Sequence, residues 1–108
     1  MKSFDEPFNG HNFPQEFFYH IKKEGFELSF HNSKALRGKT KDTTAYMKIL
    51  NYPLLNVCFG FVYICTEGIG VDIEYENREI CSYNFFSFEE CGHKQAYDLA
   101  VDYVNDNR

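Results

Sequence analysis

The sequence predicts an α+β domain: a three-stranded antiparallel sheet packed on a C-terminal helix and extended by an N-terminal helix and strand region. Three observations predict it. Val71-Asp72-Ile73-Glu74-Tyr75-Glu76 alternates apolar and acidic residues, the mark of a strand with one face toward a core. Glu67-Gly68-Ile69-Gly70 and Glu76-Asn77-Arg78 supply turn chemistry on either side of it, between apolar and aromatic runs, which gives two successive hairpins. Downstream, Ala96, Leu99, Ala100, Tyr103 and Val104 fall on one helical stripe.

Element by element, residues 1–12 are rich in Asn, Phe and Gly without a period and read as a loop or arm. Pro14 stands where a helix can begin, Phe17, Phe18 and Ile21 fall near one face of residues 15–23, and Gly25 is a natural C-terminal stop. Phe26-Glu27-Leu28-Ser29-Phe30 alternates and reads as a strand, which His31-Asn32-Ser33 interrupts. Residues 33–44 are polar and basic, with Lys34, Arg37, Lys39 and Lys41 around Gly38. Residues 46–50 form a short strand or a helical turn closed by Asn51-Tyr52-Pro53. Residues 57–65, 71–75 and 79–85 are the three strands of the meander. Ser87-Phe88-Glu89-Glu90 fits a capping box for a short helical turn, and the main helix follows over about residues 93–105, with Lys94, Asp98, Asp102 and Asp106 on its solvated side.

At 108 residues the chain is one domain, 1–108, divided into an N-terminal extension (1–56) and the strands-plus-helix part (57–108). Its composition, 44% hydrophobic with twelve Phe and eight Tyr, is that of a folded chain. It lacks the apolar run of a membrane span or a secretory signal, so a cytoplasmic location is expected. Cys58, Cys65, Cys81 and Cys91 include no Cys-x-x-Cys pair, and the four His residues form no ligand pair, so neither a metal nor another cofactor is expected and the thiols read as reduced. The net charge of −5 is unevenly spread. Residues 1–58 hold eight Lys/Arg against six Asp/Glu, and residues 59–108 three against ten, or +2 and −7.

A three-stranded meander followed by an Ala-containing helix resembles the DNA-binding domain of the APETALA/ethylene-response-factor (AP-two/ERF) type, including its phage and mobile-element relatives. The likeness is carried by Phe85-Phe86-Ser87, by Glu90-Cys91-Gly92, by the Ala96-to-Ala100 helix, and by Tyr75-Glu76-Asn77-Arg78, over residues 62–105. The resemblance implies that Val71, Ile73 and Tyr75 face the helix while Asp72, Glu74 and Glu76 take positions that enter the major groove in that family. Positions that hold Arg there fall here on Ile64, Thr66 and Gly68, beside Glu67, and the chain has no Trp. Duplex DNA carries a negative charge about every 1.7 Å of its axis, so a face of carboxylates repels it.

The function expected from this conflict is a non-enzymatic, phage- or mobile-element-encoded protein-binding module. Its acidic face, with Asp72, Glu74, Glu76, Glu67 and Glu79, engages and inhibits a basic nucleic-acid-binding host protein, in the manner of an anti-CRISPR or anti-restriction protein. Carboxylates on alternate strand residues lie about 6.5–7 Å apart, close to the spacing of neighbouring phosphates. The alternative is a DNA-binding regulatory or integrase-accessory domain that uses Lys34, Arg37, Lys39 and Lys41. The loop is not a Walker loop, since Gly38-Lys39-Thr40 lacks the preceding glycine at the needed spacing. Catalysis has little support: His31-Asn32 matches only a fragment of an HNH nuclease motif, and Cys91 and His93 do not face each other on a helix. Phe17, Phe18, Phe26 and Phe30 are expected either to complete the fold or to pair two copies.

Overall fold

A computed structural model describes residues 15–36, 43–50 and 57–106 of the chain. Its elements, in order, are α1 (Gln15–Lys23), β1 (Glu27–Ser29), β2 (Thr44–Leu50), β3 (Cys58–Ile64), β4 (Gly68–Tyr75), β5 (Ile80–Ser87) and α2 (His93–Asp106). The strands form one antiparallel sheet in the order β1-β2-β3-β4-β5. The sheet is therefore five-stranded, not three-stranded. The N-terminal part supplies β1 and β2 at one side of the meander, and residues 44–50 are a strand rather than a helical turn.

The register sets Tyr46, Val62 and Val71 side by side on one face. That face also carries Ile64, Ile69 and Ile73, and both helices close over it: Phe17 and Ile21 from α1, and Ala96, Tyr97, Ala100, Val101 and Val104 from α2, share its apolar cluster. Leu99, expected in the stripe, is 39% exposed, while Tyr97 and Val101 are buried. The seam runs through 96, 100 and 104 with 97 and 101 beside them, which turns Leu99 to the rim. Of the aromatics expected to pair two copies, Phe17 and Phe26 belong to this core, whereas Phe30 is 94% exposed. α1 ends as the sequence indicates: Gly25 N donates to Lys22 O at 3.0 Å and Phe26 N to Ile21 O at 3.1 Å, with Gly25 at a φ of 94°.

The turn between β3 and β4 is shorter than expected. Cys65 N donates to Gly68 O at 2.9 Å, so Gly68, Ile69 and Gly70 already lie in the strand. Behind the sheet a second, smaller cluster holds Leu36, Ala45, Phe61, Tyr63 and Cys65. It is closed by residues 31–36, which cross from the end of β1 toward β4, with the His31 ring stacked on Phe61 at 4.3 Å. None of the helices among the described residues is long and apolar enough to cross a membrane.

Candidate functional site

The alternation of β4 does send Asp72 and Glu74 to the face opposite the helices, but that face is covered there. Asp72 is 0% and Glu74 2% exposed. The expectation of an open acidic strand is thus corrected at these two residues. Each carboxylate instead has partners from the crossing segment and from neighbouring elements.

Asp72 accepts from the Ser33 hydroxyl and from the Tyr63 hydroxyl, the latter at 3.2 Å to both of its oxygens. The Ser33 oxygen in turn accepts from Leu36 N at 3.2 Å, a local turn that places Leu36 over the cluster. Glu74 lies 2.6 Å from His31 Nε2 and 3.2 Å from Arg78 Nε. When His31 donates from Nε2, its Nδ1 is the acceptor that the Arg78 guanidinium also meets. Arg78 sits in the β4–β5 hairpin at a φ of 74°, a left-handed conformation uncommon for a side chain with a Cβ. The hairpin is closed by Arg78 N to Tyr75 O and Tyr75 N to Glu79 O, both at 2.9 Å.

Burial pushes the Asp72 carboxyl from 3.8 up to about 7; the Ser33 and Tyr63 hydroxyls oppose that rise and the neighbouring Glu74 carboxylate adds to it. Burial, with the Asp72 and Glu74 charges, likewise pushes the Tyr63 phenol up. This arrangement ties a segment across a sheet. It offers no carboxylate to a partner while residues 31–36 lie over it.

The five acids expected to form one patch are divided in three. Asp72 and Glu74 are interior, Glu67 is exposed in the turn before β4, and Glu76 and Glu79 are exposed in the hairpin after it. The eight residues of β4 separate the two exposed groups by roughly 25 Å at the ordinary strand rise. Of the basic loop, Lys34 is exposed, and Arg37, Lys39 and Lys41 lie outside the described residues.

At its end of β4, Glu67 is joined by residues outside the expected acidic set. Thr66, Glu67, Phe85, Ser87, Phe88 and Glu89 line an open cleft of about 600 Å³. Glu90 is exposed next to it, and Asp98, Asp102 and Asp106 are exposed along α2. The capping-box residues form a turn, with Glu89 N donating to Ser87 Oγ at 3.1 Å and Cys91 N to Ser87 O at 3.1 Å. Among the described residues, no group of three or more His, Cys, Asp or Glu is placed to hold a metal ion. The four cysteines are free thiols, with Cys58 and Cys65 buried.

Against known proteins, the chain matches no family model, no curated protein and no solved structure. Its function has to be argued from its own surface.

Proposed function

We propose that the chain is a protein-binding module without catalysis of its own, which engages a basic nucleic-acid-binding protein and inhibits it. The observation that carries this reading is a charge imbalance on the surface. Over residues 57–106, eight carboxylates are exposed: Glu67, Glu89 and Glu90 around the cleft, Glu76 and Glu79 in the hairpin, and Asp98, Asp102 and Asp106 along α2. The two cations of that stretch are both engaged, Arg78 with Glu74 and Lys94 with Asp98 at 2.7 Å.

Such a surface repels the phosphate backbone and speeds the arrival of a lysine- and arginine-rich partner. In this reading the β3–β5 meander and α2 form an AP-two/ERF-like scaffold. Its groove-facing side is denied to DNA by residues 31–36, which lie across Asp72 and Glu74. The surface charge fits a phage- or mobile-element-encoded inhibitor of anti-CRISPR or anti-restriction type, acting in a host cytoplasm.

Competition measured by fluorescence anisotropy tests this. An arginine-rich DNA-binding peptide is loaded on a labelled duplex, and the protein is titrated in at several salt concentrations. The expected result is release of the duplex, weakened roughly tenfold or more when Asp98, Asp102 and Asp106 or Glu67, Glu89 and Glu90 are changed to Lys. Direct binding of the duplex by the protein at moderate salt would establish the DNA-binding alternative instead. Release that ignores both sets of charge reversals would also sink the proposal.

A further inference from the structure

We infer that His31, Glu74 and Arg78 form a proton-operated latch: a proton taken up by His31 releases the Arg78 guanidinium into solvent, while residues 31–36 stay on the sheet. The latch stands on its own geometry and rests on the acidic-surface reading only for its consequence at a partner.

The three side chains close a triangle. Glu74 is 2% exposed, with one carboxylate oxygen 2.6 Å from His31 Nε2 and the other 3.2 Å from Arg78 Nε. The third side joins the Arg78 guanidinium to His31 Nδ1. A guanidinium has donors only, so Nδ1 is the acceptor and carries no hydrogen. Nε2 therefore holds the proton of the ring and donates it to Glu74. In this state the ring is neutral, and Arg78 balances the buried charge of Glu74.

Protonation places an N–H on Nδ1, donor against donor and cation against cation. The carboxylate then has a second counterion, His31 itself, and no longer needs the first. The two cations are held very differently. The His31 ring stacks on Phe61 at 4.3 Å, its side chain is 11% exposed, and two residues on, Ser33 donates to Asp72. Leu36 then seats against β4 where Gly70 lacks a side chain, since a Cβ there would stand 2.6 Å from Leu36 Cδ1. The Arg78 side chain is 55% exposed in the hairpin turn, and its partners among the described residues are Glu74 and His31. The guanidinium is the member that reaches water at little cost.

Other titratable groups surround the ring. Tyr63 of β3 lies 6.4 Å from it, centroid to centroid, and the phenol is pushed up, so it keeps its proton through the neutral range. Glu27 of β1 and Tyr83 of β5 are exposed in the cross-strand row that holds Phe61 and Asp72. Lys34 on the segment itself, and Glu76 and Glu79 in the hairpin, are exposed as well. Asp72, pushed up to about 7, changes charge in the range where imidazoles do, and needs its own control. Once released, the guanidinium joins Glu76 and Glu79 at the hairpin and lowers the negative charge offered there to a basic partner.

The test is an NMR titration of the full chain from pH 8 to 5, following the His31 ring atoms and, by carbon detection, the Arg78 Nε and Cζ. Expected at pH 8 are a His31 ring protonated at Nε2 alone and an Arg78 signal displaced from that of free arginine. As His31 takes up its proton, Arg78 should move to the free-arginine position with the same midpoint. In Asp72→Asn this coupled change should persist, and the Leu36 amide should keep its folded position throughout. In His31→Gln, whose amide donates and accepts but takes up no proton there, Arg78 should ignore pH over this range. The wild-type and His31→Gln titrations decide alone if Asp72→Asn does not fold.

A ring protonated at Nδ1 at pH 8, an Arg78 signal that stays in place while His31 titrates, a Leu36 amide that leaves its folded position with His31, or an Arg78 response that survives His31→Gln would each overturn the inference. The peptide competition, repeated at both ends of the titration, should weaken roughly twofold to fivefold at the acidic end, the scale of one or two screened surface charges, and His31→Gln should reduce that difference. A coupled titration without engagement of the peptide at any pH removes the proposed partner and keeps the latch. Engagement of the peptide with an Arg78 that ignores His31 removes the latch and leaves the acidic surface standing.

Discussion

Two consecutive residues of β4 sit in two different kinds of interior. Ile73 enters the apolar layer beneath α1 and α2, where its neighbours are carbon and contact is non-directional. Asp72 enters the layer beneath residues 31–36, where it is held by hydroxyl donors from Ser33 and Tyr63. Both are buried to the same extent, yet the first layer depends on volume and the second on partners. A helix can be kept on a sheet by an apolar stripe alone. A short irregular segment with one buried leucine cannot, and here buried polar bonds supply what its apolar area lacks.

The largest test of this difference removes one side chain from each layer. Ile73→Ala should cost about 2–5 kcal/mol, the range for emptying a packed aliphatic site. Asp72→Ala should cost about 1–3 kcal/mol, because it removes the carboxylate to which the Ser33 and Tyr63 hydroxyls donate. Hydrogen exchange separates the two, because Leu36 N bonds to Ser33 Oγ and reports on the crossing segment. Asp72→Ala should strip protection from Leu36 while the α2 amides keep theirs, and Ile73→Ala should lower protection throughout. Unchanged Leu36 exchange in Asp72→Ala would show that the segment does not depend on this carboxylate.

A pH series sharpens the comparison through the carboxyl that the polar layer holds. The Asp72 carboxyl is raised in the folded state, from 3.8 to about 7, so between those values the folded chain holds a proton that the unfolded chain has released. Its contribution is fully present below about pH 4 and is lost as pH rises through 7. Asp72→Asn removes this dependence. The difference in unfolding free energy between wild type and Asp72→Asn should therefore shift in favour of the wild type on acidification from pH 8 to 5. Its slope is limited to one proton, about 1.4 kcal/mol per pH unit. A flat difference in urea unfolding across that window would contradict the shift.

Much of the helix-side layer was legible in the chain. Val71, Ile73 and Tyr75 were expected against the helix, and all three join its cluster. The opposite layer was misread because alternation reports that β4 has two unlike faces without saying that the polar one is wet. What covers the polar face of β4 is the segment 31–36, which lies over it. A signal was present in Ala35-Leu36, the only apolar pair in the polar stretch 31–44. Two of the partners of these carboxylates, Ser33 and His31, stand 39 and 43 positions earlier in the chain, a distance over which spacing carries no information. The cleft was half visible: Glu67 was singled out, but Phe85, Phe88 and Glu89 were read as strand and capping residues.

A smaller effect is expected at Arg78, where the polar layer meets the hairpin. Its backbone is left-handed, which costs a residue with a Cβ roughly 1–2 kcal/mol relative to glycine. Arg78→Ala loses the guanidinium and keeps that cost; Arg78→Gly loses the guanidinium and relieves it. The glycine variant should therefore be the more stable of the two by about 1 kcal/mol in chemical denaturation. Equal stability would mean that the hairpin relaxes once the contacts to Glu74 and His31 are gone.

The smallest effect separates the layers by what each does with a hydroxyl. Tyr63, in the polar layer, spends its hydroxyl on Asp72; Tyr46, in the apolar layer, is 2% exposed and its hydroxyl has no hydrogen-bond partner among the described residues. Its ring meets Phe17 edge-on at 5.4 Å, and burial pushes its phenol up to about 12. A buried hydroxyl without a partner carries its desolvation cost uncompensated, so Tyr46→Phe should be neutral or stabilise the chain by about 1 kcal/mol. Tyr63→Phe, the same change of one oxygen atom, should destabilise it by about 1 kcal/mol or more, because it takes a donor from a buried carboxylate. Opposite signs for the two substitutions in thermal or urea unfolding would follow from the two kinds of interior. A loss at Tyr46 as large as that at Tyr63 would show that the helix-side layer also rests on a polar bond.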